Sequence, residues 1–163
     1  METCIVYHSH TGNTRRVAEF LASSTGASLV QVEDRAGYTE DTIYSLGAPK
    51  ARMGEKATIE PGEIDVSACR MIVIGSPVWS WHPTPAINAA IAALRGCAGK
   101  RGIVFATSGG KPGDTLEIME RALEHREVLV VGRVHFTPED LEGSERHAEL
   151  LDLVHRFSGA FFA

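Results

Sequence analysis

Six consecutive residues near the start of the chain, Ser9, His10, Thr11, Gly12, Asn13 and Thr14, have the side chains and the position to hold an anion. The hydroxyls of Ser9, Thr11 and Thr14 and the amide of Asn13 are hydrogen-bond donors, and Gly12 lets the backbone turn sharply and approach a bound group closely. An apolar strand over residues 3–7 precedes the run, and a helical pattern begins near Arg15. A helix opening there aims its unpaired N–H groups and the positive end of its dipole at the same point, so a phosphate is attracted without any lysine. Turns and helix caps use the same residue types. Arg15 and Arg16 bear on the choice, because cations in a first helical turn oppose the dipole by about 0.3–1 kcal/mol each unless an anion sits nearby.

Other phosphate chemistries are excluded by motif. The chain has no G-x-x-x-x-G-K-[ST] loop, and no G-x-G-x-x-G follows a strand. None of Cys4, Cys69 and Cys97 has an arginine six positions on, as a phosphate-binding thiolate loop requires.

Two further loops carry groups suited to a planar ligand. Residues 75–85 read G-S-P-V-W-S-W-H-P-T-P, a proline-stiffened stretch in which Pro77, Val78, Trp79, Ser80, Trp81 and His82 present apolar rings next to a strand end. Such rings are costly to leave in water unless something covers them, whether a ligand, the core or a subunit contact. His82 serves equally as a turn residue or as a donor to the ligand. After the next strand come Thr107, Ser108, Gly109 and Gly110, where adjacent glycines expose backbone amides. Asp114 reads as the N-cap of the helix that follows.

The elements that must position these loops alternate along the chain. Strands are expected over residues 3–7, 28–33, 70–74, 102–106 and 128–136, and helices opening near Asn13, Thr84, Asp114 and Pro138. Continuous apolar runs such as Met71, Ile72, Val73 and Ile74 fit strands buried on both faces. A helix over residues 39–52 is interrupted by Gly47 and Pro49, and residues 53–61 read as loop. Alternation of this kind predicts a three-layer α/β fold with a five-stranded parallel sheet; with a phosphate loop after the first strand it resembles the flavodoxin-like doubly wound sheet, which implies strand order 2-1-3-4-5 and loops after strands one, three and four that converge at one edge.

The S-x-T-G-N-T run after the first strand and the G-S-P-V-W opening of the second loop resemble the FMN loops of flavodoxins, the second also those of related flavin reductases. The element order is similar over nearly the whole chain. The resemblance implies non-covalent FMN and a redox function. Its phosphate would lie in the first loop, its ring against one indole with the dimethylbenzene edge on Pro77 and Val78, and its pyrimidine on the amides of the third loop. Many small flavodoxins carry a tyrosine and several acidic residues in the third loop, and a glycine in the second whose peptide flips toward the ring. This chain has none of these, so a positive φ at Ser80 or Trp81 carries a strain cost. The resemblance implies an electron carrier passing electrons between redox partner proteins, with an FMN-dependent NAD(P)H oxidoreductase reducing a quinone or other small acceptor as the alternative. A non-redox receptor for FMN or phosphate is a third reading.

Composition narrows the setting. The 163 residues, 44% of them apolar, predict one domain, 1–163, as a monomer or small homo-oligomer. A formal charge of −5 and a pI near 5.8 argue against a nucleic-acid surface. No apolar run approaches the roughly 20 residues of a membrane span, and the start runs into a strand without a basic leader, so a cytoplasmic protein is expected. Three widely spaced cysteines predict reduced thiols and no disulfide, with Cys4 as plain core; no metal-ligand spacing is present.

Overall fold

Strand positions alternate strictly between two apolar layers. In the computed structural model, which describes residues 3–143 and 145–158, five parallel strands form the central sheet: β1 (Thr3–Tyr7), β2 (Ser28–Gln31), β3 (Met71–Trp79), β4 (Arg101–Thr107) and β5 (Leu129–Phe136). Their order across the sheet is β5-β4-β3-β1-β2, the predicted 2-1-3-4-5. Ile5, Tyr7, Met71, Val73, Ile103 and Phe105 face helices α1 (Asn13–Thr25) and α4 (Glu145–Phe157). Cys4, Val6, Ile72, Ile74 and Val104 face α2 (Pro85–Ala92) and α3 (Thr115–Glu124). Burial of the three central strands on both faces is what their unbroken apolar runs require.

Besides a short antiparallel pair, Glu33–Asp34 with Ile59–Glu60, which ends the second strand at Gln31 and lies partly in residues read as loop, the structure departs from the sequence reading in four places. First, β3 does not stop at Ile74. It runs to Trp79, pairing Pro77 with Thr107 of β4, and then folds back so that His82–Pro83 pairs antiparallel with Val78 and Trp79. The two turn residues, Ser80 and Trp81, take φ of 52° and 65°. Hairpins with this backbone normally announce themselves with Asn-Gly, which is absent here.

Second, residues 39–52 stay helical through Gly47 and Pro49. A short helix, Glu40–Thr42, passes into a π-helical turn, Ile43–Gly47, and then into Ala48–Arg52, with Pro49 just past the junction, where its fixed φ suits a helix. Third, Pro138 opens only the 3-10 turn Asp140–Glu142, and the last helix begins at Glu145. Fourth, Cys4 and Cys69 are joined as a disulfide with Cα atoms 6.0 Å apart, which corrects the expectation of three free thiols; Cys97 is free and buried. Separated by 65 residues, the pair meets because β1 lies beside β3 in register, Cys4 opposite Ile72, with Cys69 in the turn just before.

The end of β1 is tied to the second loop by a buried histidine. His8 N donates to Gly75 O at 3.2 Å, and His8 Nδ1 lies 2.9 Å from Thr84 Oγ1, the hydroxyl that caps α2 by accepting from Ile87 N. Burial, with a smaller contribution from the nearby charge of His10, lowers the His8 pKa from 6.5 to about 4. Above pH 6.5 the ring is neutral in both states and costs nothing. Below it, the unfolded chain takes up a proton that the folded chain refuses until about pH 4, so stability falls across that window and levels off beneath it. A change of this size is worth roughly 3 kcal/mol. Denaturant unfolding followed from pH 7 to pH 4 should therefore show a loss of this order, reduced in His8→Asn, which has nothing to titrate.

Candidate functional site

The first loop is closed by its own serine. Ser9 Oγ accepts from the backbone N–H of Gly12 at 3.1 Å and of Arg15 at 3.2 Å, and Gly12 sits at φ 99°, a left-handed conformation that glycine adopts without a Cβ penalty. The first intrahelical bond of α1 runs from Arg16 N to Gly12 O at 3.0 Å, so the amides of Asn13 and Thr14 precede it and have no carbonyl behind them. Arg16 turns away from the loop, donating to Leu141 O at 3.1 Å with Glu142 3.9 Å off, so its place in the first turn is explained by packing against the 3-10 turn. Thr14 is buried, and its hydroxyl lies 2.8 Å from that of Thr107. That bond ties the first loop to the third; Thr14 holds the site together from behind.

The second loop divides its two indoles. Trp79 is 7% exposed, its ring met edge-on by Tyr38, His8 and His10 at centroid distances of 5.5, 5.7 and 6.3 Å. Gly47 of the π-helical turn passes so close that a Cβ there would stand 2.9 Å from the ring, so the close approach requires glycine. Trp81 is 62% exposed at the hairpin tip. Positive φ at two non-glycine residues costs on the order of 1–3 kcal/mol each, and three bonds hold the tip in it. Arg52 Nη1 donates to Ser80 Oγ at 3.0 Å, His82 Nδ1–H donates to Ser80 O at 2.6 Å, and Asp114 N donates to Trp81 O at 3.0 Å. Asp114 occupies the N-cap position of α3, but its side chain makes no cap bond.

The third loop is backed by β5. Ser108 N donates to Phe136 O at 3.0 Å, and Ser108 Oγ lies 2.6 Å from His135 Nε2 while accepting from Gly110 N at 3.3 Å.

These loops enclose a cavity of about 490 Å³ at the carboxyl ends of the strands. The first loop contributes His10, Thr11 and Asn13 to its wall; the second, Pro77, Val78, Trp79, Ser80 and Trp81; the third, Thr107, Ser108 and Gly109. Ser9, Gly12, Thr14, His82 and Gly110 belong to the same loops but do not line it. The remaining wall comes from a segment the sequence reading assigned no role: Ile43, Tyr44, Ala48 and Arg52. Its signal was the helical run broken only by Gly47 and Pro49, and nothing local says that this run leans over a sheet edge. In a chain with 21 acidic and 16 basic residues, the wall holds, among the described residues, one arginine and no carboxylate. Such a cavity, with hydroxyls and helix amides at one end and rings along its side, suits an aromatic ligand carrying an anionic group. Among the described residues no cluster of His, Cys, Asp and Glu is arranged to hold a metal ion, and no helix is long and apolar enough to cross a membrane.

Known structures share this fold. No curated protein matches the sequence. Among solved structures, a protein of Bacteroides eggerthii described provisionally as a flavoprotein superposes with a TM-score of 0.74 at 21% identity, over 94% of this chain and 98% of that one. A flavoprotein of Lactobacillus acidophilus solved in complex with FMN gives 0.66 at 23%, over 82% and 92%. Oxidised flavodoxin 2 of Bacillus cereus gives 0.61 at 19%, over 99% and 100%. Likeness at these identities establishes the fold. A sequence profile described as Flavodoxin matches residues 2–132, most of the chain, and with the 2-1-3-4-5 sheet and its converging loops this makes the chain a member of the flavodoxin family.

Proposed function

We propose that the chain binds FMN non-covalently in this cavity and carries electrons between protein partners. The observation that bears most weight is the convergence in one 490 Å³ cavity of the Thr11 and Asn13 donors at the α1 N-terminus with the apolar wall of Pro77, Val78 and Trp79. Cavities of this size and mixed lining are typical of cofactor sites. Bound there, the flavin would supply the electron chemistry, accepting and releasing electrons one or two at a time.

The chain's own residues bind, orient and shield. Thr11, the Asn13 side chain and the first-turn amides of α1 would take the phosphate, drawn by the positive end of the helix dipole. Trp79, immobilised by Tyr38, His8, His10 and Gly47, is a rigid wall against which a planar ring packs. Trp81 and Tyr44, 62% and 81% exposed, put apolar rings at the cavity mouth, where a docking protein would bury them.

A second reading, an FMN-dependent NAD(P)H oxidoreductase, draws support from Arg52. This cation sits in a wall whose described residues include no carboxylate, and the third loop has no ring to close over the ligand, an arrangement that would admit an anionic dinucleotide. Anaerobic reduction separates the two readings: a carrier is reduced readily by dithionite or a reductase and barely by NADH or NADPH alone, whereas the enzyme is reduced by one of the nicotinamides directly.

Reconstitution followed by acid release should yield one FMN per chain, and recovery of FAD or of no flavin would overturn the assignment. Thr11→Ala should weaken FMN by about 1.5–3 kcal/mol, the worth of a donor to a charged oxygen, and leave riboflavin, which has no phosphate, nearly unchanged in parallel fluorescence titrations. A ring packed on the flavin quenches its emission, so of Trp79→Phe and Trp81→Ala the variant that removes the contact should brighten the bound flavin and weaken it by about 0.5–1.5 kcal/mol.

A further inference from the structure

We infer that His135 governs the cavity through Ser108: when the imidazole is protonated it turns the Ser108 hydroxyl hydrogen into the cavity, strengthening the hold on a ligand that accepts a hydrogen bond there. The inference rests on the flavin reading only for the identity of that ligand.

Ser108 lines the cavity, and its Oγ has two protein neighbours, Gly110 N at 3.3 Å and His135 Nε2 at 2.6 Å. A hydroxyl has one hydrogen and two acceptor sites. Gly110 N–H always donates, which fills one site. When His135 Nε2 carries no hydrogen, the short contact to it must use the serine hydrogen, and Ser108 has nothing left to offer the cavity. When the ring is protonated, Nε2–H must donate, both acceptor sites of Oγ are filled, and the serine hydrogen has only the cavity to point into. A neutral ring with its hydrogen on Nε2 orients the serine in the same way, so the measurable effect is the difference between the neutral tautomer mixture and the protonated ring.

The charges around the ring leave it poised to respond. Asp140, in the turn after β5, favours the protonated form; Arg146 of α4 opposes it; and burial, the largest influence, holds the pKa below its ordinary value. On α3, Glu120 is taken up by Arg133 of the same strand as His135 at 3.3 Å. The ring is therefore mostly neutral near pH 7 and gains its proton as pH falls below 6.5. By linkage, a ligand that accepts from Ser108 raises the affinity of His135 for the proton, so binding takes up a proton and tightens toward low pH. His135 touches no ligand itself; it acts as a positioning residue.

Riboflavin, which carries no phosphate to titrate, is the probe. Its dissociation constant is measured by fluorescence between pH ~7.5 and ~5 for wild type, His135→Gln and Ser108→Ala, running downward from the ordinary imidazole range. Wild type should tighten by up to about tenfold more than either variant, tenfold being about 1.4 kcal/mol of coupling between proton and ligand. His135→Gln, whose side-chain amide does not titrate, should lose the part of the pH slope that His135 supplies, and Ser108→Ala should bind weakly throughout. Every other histidine of the chain is the same in all three proteins, so the differences isolate His135. A pH slope in Ser108→Ala or His135→Gln equal to that of wild type overturns the inference. If wild type binds neither riboflavin nor FMN, the flavin reading falls, and the His135 titration followed by NMR in the flavin-free protein still decides the coupling. Ser108→Ala removes the acceptor of the protonated ring and should lower the His135 midpoint; an unchanged midpoint overturns the inference.

Discussion

Parallel pairing of β3 with β1 on one side and β4 on the other brings three loops to a single edge, and the rest of the site follows from it. Because the three strands run the same way in register, from Thr3 opposite Met71 to Pro77 opposite Thr107, every carboxyl end must emerge at the same side. The loops then lie close enough to bond one another: Thr14 to Thr107 at 2.8 Å, His8 to Thr84 at 2.9 Å. These are buried contacts between hydroxyls and an imidazole, and each would leave an unsatisfied polar group if its partner moved, which makes the relative placement of the loops stiff.

On that platform the second loop is held in a conformation it would not choose. Ser80 and Trp81 occupy a turn that favours Asn-Gly, and the strain is offset by bonds from three separate elements: Arg52 from the 48–52 helix, Asp114 N at the mouth of α3, and His82 from the hairpin itself. Strained backbone that survives because its surroundings over-determine it is common at binding sites. Here it sets the orientation of two indoles, one buried as wall and one left at the rim.

The helical segment over residues 39–52 completes the enclosure by a different physical route. Its π-helical turn widens the helix at Ile43–Gly47, and Gly47 lets the chain lie directly on the Trp79 ring. The same segment delivers Tyr44 and Arg52 to the cavity, so the part of the chain with the weakest local pattern supplies the charge of the site.

The amino-acid sequence by itself determined the layers and, through its likeness to a known fold, the strand order and the three loops that meet at one sheet edge. The layers are written locally in unbroken apolar runs and the loops in caps and glycine-hydroxyl turns near strand ends, and β1 was predicted to the residue. Only the tertiary structure decided which members of those loops face inward. Thr14 has the chemistry of a phosphate ligand, but its hydroxyl is spent on Thr107, 93 positions away; Ser9 closes its own loop; His82 turns back to Ser80. The Cys4–Cys69 disulfide, the wall residues Ile43, Tyr44, Ala48 and Arg52, and the His135 behind Ser108 were likewise out of reach of sequence reasoning. Each depends on a contact between residues remote in the chain, and a side chain's partner is set by the packing of whole elements, which no window of neighbouring residues encodes.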